Sequence, residues 1–300
     1  MLLNLVILGV VIYVLAPQLD VFHRSLSALS DAKLDWVMLA VVAVGGMYLA
    51  ATSVYIALAR HRLRYRRTLL VQMASLFASK LLPAGIGPIG INYEYLRKSR
   101  HTQVQAGSVV AMNNLVGFVA NGILLALVLI FARPSHIRLS WLVNGDRLEW
   151  VIAGVVLTSL LVVIIPRVRR TVAKILVQAA GNARLYRAHP LRVVVALIAA
   201  AVLLLCHTLC LYASAHAVGM NLGYTQALVA LSVEVVGATV TPTPGGLGGA
   251  EATLTAVLVA LGFASGISLA VALMFRLITY WLALFIGAGA FAYVQRARYI

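Results

Sequence analysis

The sequence predicts an all-α polytopic membrane protein, and three observations support that prediction. Hydrophobic residues make up 62% of the 300-residue chain, and charged residues only 11%. Several apolar runs approach the roughly 20 residues that a helix needs to cross a bilayer. No run alternates between apolar and polar residues as the strands of a membrane barrel do, and lipid would leave an open sheet without hydrogen-bond partners.

Six apolar runs are predicted to be transmembrane helices. The first, residues 1–19, lacks a basic leader and a small-residue cleavage site, so we expect a retained helix rather than a signal peptide. Cys206 and Cys210 lie in one of these helices, at a spacing that serves neither a disulfide framework nor a zinc site. The other five predicted helices lie near residues 34–59, 104–132, 149–166, 192–217 and 268–291.

Positive charge is distributed unevenly among the loops. Residues 60–67, 97–100, 167–192 and 295–298 hold 17 basic residues and no acidic one. The loops outside these segments carry as many acidic residues as basic ones. Because cytoplasmic loops are enriched in Lys and Arg, we expect the basic loops and both termini to be cytoplasmic, in a multi-pass plasma-membrane protein. No soluble basic face is expected, so the net charge of +16 does not indicate nucleic-acid binding.

Two further apolar segments remain, 69–96 and 224–262. In each of them, the first and the last residue are predicted to lie on one and the same side of the membrane. Each is therefore predicted to be a re-entrant hairpin that enters and returns. Non-helical backbone at membrane depth is tolerated where it is buried in protein or lines a wet cavity. We therefore expect the turns of both hairpins, LPAGIG (82–87) and TPGGLG (243–248), to lie inside the molecule.

The two turns also suggest an internal repeat. Their prolines and glycines recur at an offset of 161 residues, and the predicted helices that flank them are offset by about 158 and 164. The chain is thus predicted to be a single membrane domain, 1–300, with halves 1–132 and 149–300 of opposite orientation, as in many secondary transporters. Chance similarity between two Pro/Gly turns is the alternative, and the matching offsets on both flanks argue against it.

Four ionisable residues, Lys80, Glu234, Glu251 and Arg276, are predicted to lie at one depth, roughly 13 to 16 Å from the membrane face at which their segments start. A charge near the bilayer centre costs at least about 2.5 kcal/mol, so these residues are expected to be paired or functional. One interpretation is structural: Glu234 or Glu251 pairs with Arg276 and holds the hairpin. Glu251 could also simply complement a helix N-terminus.

The functional interpretation is an anion site. A helix starts after each Pro/Gly turn, so backbone N–H groups point toward the midplane beside Lys80 and Arg276. Tyr280 lies one turn beyond Arg276 and could share its face, although core packing is the commoner use of such a residue. The candidate substrate-binding residues are Lys80, Pro83, Gly85, Gly87, Glu234, Pro244, Gly245, Gly246, Gly248, Glu251, Arg276 and Tyr280.

Other polar residues within the apolar runs are weaker candidates. They could line a path through the protein, but interhelical hydrogen bonding is the commoner use of such side chains. They are His207, His216, Asn113, Asn114 and Asn121.

The run TPTPGGLGGAEATLTAVLVALG followed by MFRLITYWLALFIGAGA resembles the transmembrane region of lysylphosphatidylglycerol synthases, a flippase-like family. The most specific marks are the Pro-Gly-Gly-Leu-Gly run at 244–248, Glu251 and Arg276, and the similarity covers essentially the whole chain. In the first half, Pro88 replaces an acidic residue that often follows the turn, and Asn113-Asn114 replaces a Glu-Arg pair. We expect a stand-alone member without the soluble aminoacyltransferase domain.

The resemblance implies a transporter that moves an anionic or aminoacylated phospholipid, or a polyprenyl-linked lipid, between leaflets. The alternative is a non-transporting membrane subunit that anchors or regulates a lipid- or cell-envelope-modifying enzyme. Two protein partners are considered: a second copy of this chain, or a lipid-modifying enzyme. An intramembrane enzyme is the weakest hypothesis, because we find no nucleophile with its base, no metal-ligand cluster and no aspartate pair. We therefore expect no catalysis, no cofactor and no metal.

Overall fold

A computed structural model describes residues 32–82, 86–131, 183–240, 244–246 and 248–300. Within these ranges every regular element is helical, and no strand occurs, which confirms the predicted all-α class. The predicted helices near 1–19 and 149–166 lie outside the described residues, and so do the turn residues Pro83 and Gly85.

The helices follow the predicted apolar segments closely. A 3-10 turn, Pro244–Gly246, precedes α8, and a π-helical turn, Leu277–Leu282, joins α9 to α10. The helices are α1 (Leu34–Leu58), α2 (Tyr65–Leu81), α3 (Ile86–Lys98), α4 (Gln103–Phe131), α5 (Ala183–Ala188), α6 (Pro190–Ala217), α7 (Tyr224–Val240), α8 (Gly249–Ala260), α9 (Ser265–Arg276) and α10 (Ala283–Arg296).

Four helical runs of the described chain are long and apolar enough to cross a membrane: Leu34–Leu58, Gln103–Leu124, Pro190–Ala217 and Ser265–Arg296. The last is longer than the predicted 268–291 at both ends, and the π-helical turn within it does not interrupt the run. The segments predicted as hairpins are two pairs of shorter helices, α2 with α3 and α7 with α8.

Local sequence explains where several of these helices begin and end. Pro190 occupies the start of α6, where its missing N–H leaves no hydrogen bond unmade. Leu82 ends α2 in an extended conformation (φ −109°, ψ 135°), as expected for the residue before a proline. The local sequence therefore explains the break between α2 and α3.

The helices pack around two buried apolar clusters. One cluster surrounds α7, α8 and α9, and its fully buried side chains include Leu231, Leu254 and Phe275. The other lies at the end of the bundle where α1, α3 and α10 meet, around Leu58, Leu96 and Val294. The most extensive helix pair is α1 with α6, and α10 packs along α2, so elements distant in the chain form the core together.

Gly287 permits the close packing of α10 on α2. A Cβ atom at this position would lie 2.7 Å from Phe77 Cβ and 2.9 Å from the Met73 carbonyl oxygen. We expect Gly287→Ala to lower the unfolding free energy by about 1 to 3 kcal/mol, because the added methyl group must push the two helices apart.

Gly289 provides the matched control, since a Cβ atom there meets nothing within 4 Å. We expect Gly289→Ala to stabilise the helix slightly, by up to about 1 kcal/mol, through better helix propensity. Thermal unfolding of both variants in detergent micelles measures the difference. Equal melting temperatures would show that Gly287 is not needed for this contact.

The basic segments meet at one end of the bundle. The Arg192 side chain donates to the Ala59 carbonyl oxygen at 3.2 Å, and the Tyr186 hydroxyl donates to Leu58 O at 3.3 Å. At the same end, the Arg67 guanidinium lies 4.9 Å from the centroid of the Tyr299 ring. Three separate parts of the chain, around residues 58–67, 186–192 and 299, thus meet at this basic end.

His101 ties two loops together at this basic end. Its Nε2 accepts a hydrogen bond from the His61 backbone N–H at 3.3 Å, and its Nδ1 lies 3.1 Å from the Leu96 and Ser99 carbonyl oxygens. An N–H group can only donate, so this arrangement requires a neutral imidazole with its proton on Nδ1. Burial, assisted by the nearby His61, lowers the pKa of His101 below its ordinary value.

Acid should therefore weaken this loop contact. The unfolded chain binds a proton at His101 near pH 6.5 while the folded protein still resists it, so stability falls as the pH drops below about 6.5. We expect the fall in melting temperature between pH 7.5 and pH 5.5 to be smaller in His101→Asn than in the wild type. The exposed His189, changed to Asn, is the control and should leave the fall unaltered. An unchanged pH dependence in His101→Asn would contradict the role of this histidine.

Candidate functional site

The glycine turn before α8 adopts a conformation that side chains disfavour. Gly245 has φ +63° and ψ 14°, and Gly246 and Gly248 have φ +66° and +83°. L-residues rarely adopt such positive φ values, whereas glycine does so at little cost. A Cβ atom on Gly245 would also lie 2.4 Å from Tyr280 Cε2. Glycine at 245 thus lets the turn lie directly against the Tyr280 ring.

Glu251 and Arg276 form a buried ion pair that holds this turn. Arg276 Nε donates to Glu251 Oε1 at 2.8 Å, and its terminal Nη2 donates to the Gly245 carbonyl oxygen at 2.9 Å. The second carboxylate oxygen, Oε2, accepts the Gly248 backbone N–H at 2.7 Å. Both side chains are less than one-tenth exposed. The N-terminus of α8 is therefore complemented by the protein's own carboxylate, and both structural interpretations of Glu251 apply together.

Tyr280 connects this ion pair to the first hairpin. It lies in the π-helical turn, a feature that is frequent at functional sites, and is fully buried. The ring centroid is 5.1 Å from the Arg276 guanidinium carbon and 5.3 Å from Lys80 Nζ, and the hydroxyl donates to Lys80 O at 3.3 Å. The tyrosine thus packs in the core and also lies beside both cations.

Glu234, on α7, is the fourth charged group of the cluster. It is 5% exposed and makes no hydrogen bond or ion pair with any residue that the structure describes. The charges of Arg276, Lys80 and Glu251 act on it through space. The structure therefore brings together the four ionisable residues that the sequence places at one depth, but joins only two of them directly.

His207 also belongs to this cluster, although the sequence made it a weaker candidate. Its ring stacks on Phe275 with centroids 5.3 Å apart, and the charges of Lys80 and Arg276 act on it. The sequence signal that could have identified His207 is that it is an ionisable residue inside the apolar helix α6. Asn121 instead accepts a hydrogen bond from Ser232 at 3.3 Å and so joins α4 to α7.

The remaining candidates that the structure describes, Gly87 and Pro244, lie in turns and helix contacts. Gly87 lies near the start of α3, and a Cβ atom there would lie 2.5 Å from the Ala78 carbonyl oxygen, so Gly87 lets the two arms of the first hairpin pack closely. Pro244 begins the 3-10 turn. The residues brought together around the ion pair are Lys80, Glu234, Gly245, Gly246, Gly248, Glu251, Arg276, Tyr280 and His207.

A family model for the lysylphosphatidylglycerol synthase TM region matches residues 1–287. The chain belongs to this family. Comparison with curated proteins finds no match. Together with the four apolar helices, the family indicates a multi-pass membrane protein of lipid metabolism. The marks that carry the resemblance, the glycine run, Glu251 and Arg276, are also the groups that form the buried ion pair and its turn.

The first hairpin of this family member is held by a polar network that the sequence analysis missed. Asn92 on α3 accepts from Gln72 Nε2 at 2.7 Å and donates to Ser75 Oγ at 2.8 Å and to Pro88 O at 2.9 Å. All three side chains are buried. Their spacing offered a signal, since Gln72 and Ser75 are three residues apart and share one face of α2. The network fixes the arm that carries Lys80.

The described residues contain no group of three or more His, Cys, Asp or Glu side chains that could hold a metal ion. The cluster itself offers the chemistry of its charged side chains. Two cations and two carboxylates next to an aromatic ring can bind a group that carries either sign of charge.

Proposed function

We propose that this protein moves a phospholipid or a lipid-linked substrate between membrane leaflets, with the charged cluster as the central head-group site. The observation that carries the proposal is the cluster of Lys80, Glu234, Glu251 and Arg276 where two helical hairpins meet, with Lys80 partly buried and the other three side chains buried. Ionisable residues in membrane segments are costly and commonly mark substrate or ion pathways. Transport, and not catalysis, is the function that such a site serves best.

The order of the helices supports an inverted repeat, which is the usual architecture of secondary transporters. A long helix, a pair of shorter helices and a second long run occur twice, as α1 to α4 and as α6 to α10. The corresponding helices start 156, 159, 163 and 162 residues apart. Both hairpins would be re-entrant in this arrangement and would meet near the bilayer midplane.

The two hairpins open toward opposite ends of the bundle. The arms α2 and α3 start and finish at the basic end, where His61 and His101 are in contact. The Lys33 backbone N–H donates to Ala217 O at 2.9 Å, which marks the opposite end, where α7 begins soon after. With the basic end in the cytoplasm, one hairpin would face each side of the membrane, as alternating access requires.

The charges of the cluster suit a lipid head group. Lys80 and Arg276 can bind a phosphate, and the carboxylates can bind an amino group or a proton. An anionic or aminoacylated phospholipid, or a polyprenyl-linked lipid, presents these groups on a polar head that must cross the apolar core.

The experiment is a leaflet-exchange assay in reconstituted liposomes. Fluorescent or aminoacylated lipid is followed between leaflets for the wild type, Glu251→Gln and Arg276→Ala, with the exposed Glu94→Gln as the matched control. We expect the wild type and the control to move lipid and the two cluster variants to lose most of this activity. A folded but inert wild type that co-purifies with a lipid-modifying enzyme would overturn transport in favour of a subunit role.

A further inference from the structure

The two carboxylates of the cluster are in different situations. Both oxygens of Glu251 are occupied, by the Arg276 guanidinium and the Gly248 N–H. Glu234 is as buried as Glu251, yet within the described chain its oxygens have no hydrogen-bond donor and no cation within 4.0 Å. Glu251 is therefore held by two contacts, whereas Glu234 has no comparable contact among the described residues.

Three charged residues of the described helices act on Glu234. Lys80 on α2 and Arg276 on α9 favour its ionised form, and Glu251 on α8 opposes it. His207 on α6 interacts with the two cations. Arg276 is already engaged by Glu251 and the Gly245 carbonyl, so among the described residues Lys80 is the cation left to balance Glu234, and it does so from a distance.

A buried carboxylate without a contacting donor is costly to ionise, and protonation removes that cost. Anything that moves Lys80 changes this balance. A head-group phosphate that draws the Lys80 ammonium toward itself would leave Glu234 less compensated and so favour the uptake of a proton. The position of Lys80, over the Tyr280 ring and beside the glycine turn, places it where both hairpins meet.

We propose that Glu234 is the proton-carrying carboxylate of this site and that its protonation is coupled to the movement of lipid, while the Glu251–Arg276 pair holds the glycine turn. The inference rests on the proposed transport function. In each cycle an O–H bond forms on Glu234 with a proton from water on one side of the membrane, and the proton is released to water on the other side. The lipid itself is unchanged.

The first test does not depend on transport. Infrared difference spectra of the purified protein in nanodiscs, titrated with acid, should show the C=O band of a protonated carboxylic acid, and Glu234→Gln should remove this band. The exposed Glu94→Gln is the control and should keep it. A band that is absent from the wild type, or that disappears in Glu251→Gln but persists in Glu234→Gln, would overturn the assignment.

The second test measures coupling in liposomes with a pH gradient of one unit. If one proton accompanies each lipid, the leaflet ratio of a fluorescent phospholipid should shift by up to about tenfold at steady state, because one pH unit is a tenfold difference in proton activity. In Glu234→Gln we expect the ratio to become independent of the gradient, whatever rate the variant retains. A wild type that moves lipid without any response to the gradient would overturn the coupling and leave transport standing. A wild type that moves no lipid would end both.

Discussion

Arg276→Ala is expected to abolish lipid movement and to lower the unfolding free energy by about 3 to 5 kcal/mol. The substitution leaves the Glu251 carboxylate buried and without its cation, and it removes the hydrogen bond that holds the Gly245 carbonyl. Most of the loss thus comes from the uncompensated charge and not from the net value of the ion pair. Thermal unfolding in detergent and the leaflet-exchange assay measure the two effects.

The double variant Glu251→Leu/Arg276→Met separates stability from function. Replacing both members of a buried ion pair with apolar residues of similar size is often neutral or stabilising, so this variant should melt much closer to the wild type than Arg276→Ala does. Under the proposed function it should nevertheless move no lipid, because it lacks two of the charges that would bind a head group. A double variant that is as unstable as Arg276→Ala would show that the pair has a structural role beyond its charge.

Gly245→Ala is expected to be the most damaging change of a single methyl group in this site. The new Cβ atom would overlap the Tyr280 ring, and the backbone would keep a φ of +63° that alanine disfavours. Tyr280 is fully buried and bonded to the Lys80 carbonyl, so it cannot move away freely. We expect a loss of several kcal/mol in stability, from backbone strain of about 1 to 3 kcal/mol and overpacking of about 1 to 3 kcal/mol.

Gly248→Ala is the matched control for this prediction. Gly248 also has a positive φ, of +83°, but a Cβ atom there meets nothing within 4 Å, so only the backbone strain remains. In addition, Gly245→Ala/Tyr280→Leu should recover the part of the loss that comes from overlap with the ring. Melting temperatures of the three variants compare these contributions. Equal losses in Gly245→Ala and Gly248→Ala would argue against the contact between the turn and Tyr280.

Much of the architecture could be predicted because it follows from local composition. An apolar run such as residues 190–217 must satisfy its backbone within itself in lipid, and a helix does this. The break after Leu82 follows equally from the proline beside it. The depth of Glu251 and Arg276 could be counted along their helices, and the structure joins these two residues directly.

The partners of the side chains could not be predicted in the same way. Tyr280 and Lys80 are 200 residues apart in the chain, and only the meeting of the two hairpins brings the hydroxyl to the Lys80 carbonyl. The polar network around Asn92 likewise depends on how α3 lies against α2. The surroundings of Tyr280, whether core side chains or the charged residues, are therefore set by packing and not by the local sequence.

By itself, the sequence determined that this is a helical membrane protein and where its described helices lie, and it predicts which charges share one depth, because each of these depends on neighbouring residues and on the cost of polar groups in lipid. Only the tertiary structure decided that Arg276 engages Glu251 and leaves Glu234 without a contacting partner among the residues that the structure describes. The physical reason is that a salt bridge requires two groups within 4.0 Å of each other, and that distance is set by the packing of α7, α8 and α9 rather than by any spacing along the chain.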